Sequence, residues 1–77
     1  MVIAYVLIST EPGKEQGVLK TLQKAEGVVE IHPLFGEYDI MAKVEAEGIT
    51  HLSEIVEKIR SVEGIKATKT YTGAVFK

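Results

Sequence analysis

Apolar and polar positions along the chain fall into six stretches. Ile3-Ala4-Tyr5-Val6-Leu7-Ile8 is apolar throughout and rich in β-branched and aromatic residues, which predicts a strand covered on both faces. Thr10-Glu11-Pro12-Gly13 predicts a helix start, with Thr10 or Glu11 as cap and Pro12 in the first turn. Val18, Leu19, Leu22 and Ala25 follow at helical spacing, and Gly27 predicts a left-handed stop. Gly17 inside this helix suggests a close approach to a neighbouring element. Val28 to Phe35 predicts a second strand, with Pro33 restricting it to an edge, bulge or bend. Asp39 to Ala46 alternates cleanly and predicts a third, hairpinned to the second through Gly36. Thr50 is expected to cap a second helix carrying Leu52, Ile55, Val56 and Ile59, which Gly64 stops. Ile65 to Phe76 predicts the fourth strand.

The two halves repeat. Ala25-Glu26-Gly27-Val28 matches Val62-Glu63-Gly64-Ile65, and the same offset carries Val18, Leu19 and Leu22 onto Ile55, Val56 and Ile59. It also carries Ile3, Tyr5 and Leu7 onto Ile40, Ala42 and Val44. A βαβ unit used twice with right-handed crossovers predicts an α+β, ferredoxin-like βαββαβ fold: one four-stranded antiparallel sheet with two helices on one face. The repeat places Ile3, Tyr5 and Leu7 under the helices. Ala4, Val6, Ile8, Met41 and part of Thr68, Thr70, Thr72, Ala74 and Phe76 are then left on the open face. Such a surface calls for a covering sheet, so a homodimer of the dimeric α/β-barrel type is expected.

Size supports the same expectation. The chain, residues 1–77, has room for a single domain, and a domain this small is marginal alone. It contains no cysteine, which excludes disulfides and thiolate metal sites, and its two histidines suggest no metal centre or cofactor. Net charge is −2 with scattered basic residues, so no phosphate-binding stripe and no direct DNA binding are expected. Neither an 18-residue apolar run nor a signal-peptide pattern is present; no membrane association and a cytoplasmic location are expected.

Gly36-Glu37-Tyr38-Asp39 has two readings. One is a plain hairpin turn, with a glycine for positive φ, solvated carboxylates and a cross-strand tyrosine. The other uses exposed turn amides to hold a carboxylate, Asp39 to accept from an ammonium, and Tyr38 to close over a side chain, a set suited to an amino acid. Thr68, Thr70 and Thr72 share one strand face, either as an ordinary β surface or as hydroxyls for a small polar ligand. Tyr5 and Phe35 are expected in the core, His32 on a strand surface and His51 in solvent.

From Ile3 to Phe76 the chain resembles the effector-binding module of the Lrp/AsnC transcription regulators, the regulation-of-amino-acid-metabolism (RAM) domain. The residues that carry this are the Gly36-Glu37-Tyr38-Asp39 turn leading into Ile40-Met41-Ala42-Lys43-Val44, the Glu63-Gly64-Ile65 stop and Thr70-Tyr71-Thr72. The resemblance implies dimers packed sheet on sheet, assembling into octamers or similar rings, with a free amino acid bound between dimers near the turn and the last strand. It implies Gly36, Tyr38, Asp39, Thr70 and Thr72 as ligand-binding residues, with Glu37 at a variable position of the turn. Family regulators carry a helix-turn-helix domain before this module, whereas this sequence starts at the first strand. It therefore resembles the RAM modules found alone, acting on transcription through full-length Lrp/AsnC regulators. The competing readings are a small α/β-barrel monooxygenase or isomerase using His32, Tyr5 and Tyr71, and a purely structural scaffold.

Overall fold

In the computed structural model, which describes residues 1–72, the first strand β1 (Val2–Thr10) runs through the middle of a four-stranded sheet. It is followed by α1 (Glu15–Gln23), β2 (Val28–Pro33), β3 (Ile40–Ala46), α2 (Ile49–Arg60) and β4 (Ile65–Thr72). The strand order is β2-β3-β1-β4 and every neighbouring pair is antiparallel, the ferredoxin-like arrangement expected from the repeat. Pro33 lies at the end of the edge strand β2, where a missing amide donor breaks no ladder. The readings at Ala74 and Phe76, including the expected end of the fourth strand, lie outside the described residues.

The core is the layer between the sheet and the two helices. Ala4, Val6 and Ile8 from β1 meet Val18 and Leu22 from α1, Ile40, Ala42 and Val44 from β3, and Leu52, Ile55 and Ile59 from α2. This reverses the face expected for β1. Ile8 pairs with Ile40, Val6 with Ala42 and Ala4 with Val44, so Ile3, Tyr5 and Leu7 lie on the open face beside Met41 and Lys43. The repeat misled because it slips by one residue between strand and helix. Ile8 precedes Val18 by ten positions, whereas its counterpart Val44 precedes Ile55 by eleven. A one-residue slip exchanges the two faces of a strand.

Both helices start differently from the expectation. α1 begins at Glu15, with Lys14 as N-cap and no side-chain cap. Thr10 remains in β1, and its side chain is engaged elsewhere. Gly13 turns the chain at φ 81°, and the Lys14 amide donates to the Glu11 carbonyl (3.0 Å). α2 begins at Ile49 behind Gly48, so Thr50 lies inside the helix instead of capping it. His51 Nδ1 accepts from the Glu47 amide at 3.0 Å, and its Nε2 lies 3.5 Å from Glu26 Oε2. A β-carbon on Gly17 would meet nothing within 4 Å, so the close approach expected there does not occur.

Candidate functional site

The β2–β3 connection, Leu34 to Asp39, is tied at its base and open at its tip. The Leu34 amide donates to the Asp39 carbonyl (2.8 Å), and the Asp39 amide donates to the Ile8 carbonyl (2.9 Å). Gly36 turns the chain at φ 139°, a value that disfavours a β-carbon. Among the described residues, the amides of Gly36, Glu37 and Tyr38 donate to no backbone carbonyl. Three neighbouring donors are thus available to an acceptor such as a carboxylate.

Asp39 is already engaged within the chain. Its Oδ2 accepts from the Thr10 amide at 2.8 Å and from the Thr10 hydroxyl at 3.2 Å, clamping the turn onto the end of β1. Tyr38 and Asp39 are half-buried, while Gly36 and Glu37 are exposed. Phe35, expected in the core, is fully exposed at the tip (107%) because its strand ends at Pro33 and it lies outside the ladder.

Thr70 and Thr72 stand elsewhere. They pair with Val6 and Ala4, and so share the helix-facing side of the sheet. Thr72 lies four β1 positions beyond Ile8, roughly 13 Å along the strand from the level of the turn. Within one chain, therefore, the turn residues and the two threonines do not converge. Thr70 instead borders a cleft of about 260 Å³ between α2 and β4, together with Leu52, Ser53, Val56, Glu57 and Arg60.

The alternation that turns the threonines inward turns Lys69 and Tyr71 outward. Residue type alone did not single out Lys69. Its register beside Tyr71 is the signal that would have done so. Its Nζ lies 5.7 Å from the centre of the Tyr71 ring. Tyr71 first, through its hydroxyl and its charge, and then Tyr38 and Glu37 hold the Lys69 pKa above its ordinary value. Tyr5 lies directly opposite Tyr71, and its exposure (37%) corrects its expected core position.

Pairing across the open face produces two rows. One runs Glu30, Lys43, Tyr5, Tyr71; the other runs His32, Met41, Leu7, Lys69. In the second row, polar groups at His32 and Lys69 flank the apolar Met41 and Leu7. At the β2 edge, Glu30 bridges His32 Nε2 (3.0 Å) and Lys43 Nζ (3.6 Å). The His32, hydrogen-bonded to Glu30, stands at this edge, and the paired Tyr5 and Tyr71 stand on the other side of β3, so the three do not form one acid–base group. Among the described residues, no His, Asp and Glu cluster is disposed to hold a metal ion, and no helix is long and apolar enough to cross a membrane.

Residues 3–72 match the Lrp/AsnC ligand binding domain. The chain belongs to this family. It is 29% identical over 69 residues to the HTH-type transcriptional regulator FL11 of Pyrococcus furiosus, covering 90% of the chain and 46% of the regulator. It is 45% identical over 53 residues to the homocitrate synthase of Sulfolobus acidocaldarius, covering 69% of the chain and 11% of the enzyme. The chain therefore spans under half the length of either relative. The solved structure of FFRP-DM1 superposes with a TM-score of 0.90 at 37% identity, covering 96% of this chain and all of that one. The Lrp/AsnC ligand-binding fold is that of a regulatory, effector-binding module, and the relatives of this chain include transcriptional regulators.

Proposed function

We propose that this chain binds a free amino acid and reports it through a change of assembly, with no catalytic step of its own. The observation that carries this reading is the turn at Gly36, Glu37 and Tyr38, with three amides open to an acceptor, inside a chain matched to the ligand-binding family over residues 3–72. The amino-acid carboxylate sits on those amides, and its ammonium is held near the carboxylates of Glu37 and Asp39. Thr70 and Thr72 take part from a neighbouring copy, since they lie apart from the turn in one chain.

The open face of the sheet supports a homodimer packed sheet on sheet. Ile3, Tyr5, Leu7 and Met41 form its apolar centre and the charged edge residues its rim, the anatomy of a protein interface. Dimers assemble further into an octamer or similar ring, and the amino acid shifts that equilibrium by its differential affinity for the two states. The output passes to full-length Lrp/AsnC regulators in the cytoplasm, without direct DNA contact by this module. Light scattering with each of the twenty amino acids tests the reading. A mass or stability change with one of them supports it, and a constant species at millimolar concentration of all twenty removes it.

The match to 11% of a homocitrate synthase favours a second output, in which the module controls a biosynthetic enzyme instead of a DNA-bound regulator. Titrating the chain into a homologous regulator or synthase, with and without effector, separates the two by which protein changes mass or rate.

A further inference from the structure

Lys69 stands near the level of the β2–β3 turn, on the open face of the sheet. It pairs with Leu7, the neighbour of Ile8, whose carbonyl accepts the Asp39 amide. One strand position, about 3.3 Å, separates Lys69 from that level, whereas Thr72 lies four positions away. The turn also reaches Lys69 electrostatically. Tyr71 first, then Tyr38 and Glu37, raise the Lys69 pKa, so the tip of the turn and the ammonium share one neighbourhood. Lys69 is exposed on the edge strand and forms no ion pair among the described residues. The Tyr71 ring, its centre 5.7 Å from Nζ, steadies the ammonium by cation–π attraction. An ammonium carries three donors, and Tyr71 does not engage them all.

The groups around the turn have a definite charge pattern. An anion finds two places: the open amides of Gly36, Glu37 and Tyr38, and the Lys69 ammonium. A cation finds the exposed Glu37 carboxylate, with Asp39 already holding Thr10 through Oδ2. Two anion positions and one cation position complement a dicarboxylic amino acid. A neutral side chain leaves Lys69 unused, and a cationic one meets a like charge there. All of these groups belong to a single chain, so the ligand class is set before a second copy takes part.

We propose that Lys69 determines specificity at the turn and that the amino acid bound there has an acidic side chain. The α-carboxylate rests on the amides of Gly36, Glu37 and Tyr38, the ammonium lies near Glu37, and the side-chain carboxylate is held by Lys69. That an amino acid binds at all rests on the proposed function; Lys69 adds its class.

The test is isothermal calorimetry on the full chain with L-glutamate, L-aspartate, L-glutamine, L-asparagine, L-leucine and L-lysine, for the wild type, Lys69→Met and Lys69→Glu. The amides are near-isosteric with the acids, so each pair isolates the side-chain charge. At least one acid is expected to bind about tenfold tighter than its own amide, the lower end for a charge-assisted hydrogen bond at an exposed site. Lys69→Met removes that preference while the amide binds as before, and Lys69→Glu shifts it to L-lysine. Unchanged thermal unfolding of Lys69→Met shows that the loss is not one of folding. A wild type that binds glutamine, asparagine, leucine or lysine as well as the acids, or an acid preference that survives Lys69→Met, overturns the role of Lys69 and leaves amino-acid sensing in place. A wild type that binds none of the twenty amino acids removes both.

Discussion

Gly27 and Ile55 are packed so closely that a β-carbon on Gly27 would overlap Ile55 Cδ1 and come within 3.1 Å of Cγ1. Gly64 meets Val18 in the same way, a β-carbon there falling 3.0 Å from Val18 Cγ2 and 2.9 Å from Lys14 Cβ. The repeat carries Gly27 onto Gly64 and Val18 onto Ile55. Each helix is thus seated on the glycine that opens the strand of the other half. Both glycines have positive φ, 86° and 99°.

Gly27→Ala therefore suffers twice, from backbone strain and from overlap with Ile55, and is expected to lower stability by about 1–3 kcal/mol. Ile55→Val removes the overlapping Cδ1 and alone costs about 0.5–1.5 kcal/mol. Chemical denaturation of both singles and the double variant measures the coupling. The double is expected to lose less than the sum, and strict additivity would contradict the contact.

Gly17→Ala should act in the opposite direction. The position is exposed, helical and unobstructed, so about 1 kcal/mol of added stability is expected. Thermal unfolding reads this directly, and a lowered melting temperature would mean that Gly17 meets a partner after all.

Asp39 is a structural clamp whatever else it does. Asp39→Ala leaves the amide and hydroxyl of the buried Thr10 without their acceptor, and a loss of about 1–3 kcal/mol is expected. Its effect on ligand binding is thus confounded with folding. Tyr38→Ala is the cleaner probe of the site, with weakened amino-acid response expected in calorimetry at nearly unchanged stability.

Leu7→Glu places a charge at the centre of the open face without touching the core. If the open face pairs the chains as proposed, sedimentation should show a smaller species than the wild type, with the sheet-on-sheet dimer lost. A dimer that survives the substitution would mean that another surface pairs the chains.

Glu30 carries a pH signature. Its pKa is lowered, first by the hydrogen bond from His32 and next by the charge of Lys43. The carboxylate is more acidic folded than unfolded, so its small contribution to stability is present above the ordinary value of 4.5. That contribution is lost as pH falls through the folded value. NMR titration of His32→Ala should show the Glu30 midpoint moving up towards 4.5. An unmoved midpoint would show that the His32 contact does not hold in solution.

The amino-acid pattern by itself determined the elements, the doubled βαβ order, the helix stripes and the turn at Gly36, because period, glycine stops and the repeat are local properties. The family was legible there too, in the Gly36-Glu37-Tyr38-Asp39 turn and the strand that follows it. Which face of β1 is buried was not legible. Ile3 to Ile8 is apolar on both sides, so only pairing with the alternating β3 chooses Ala4, Val6 and Ile8 for the core. Phe35 in solvent, Asp39 bound to Thr10, and Thr70 apart from the turn were also decided by the tertiary structure. Each depends on where β1 ends and on the register of its neighbours, which are long-range pairings that no local spacing contains.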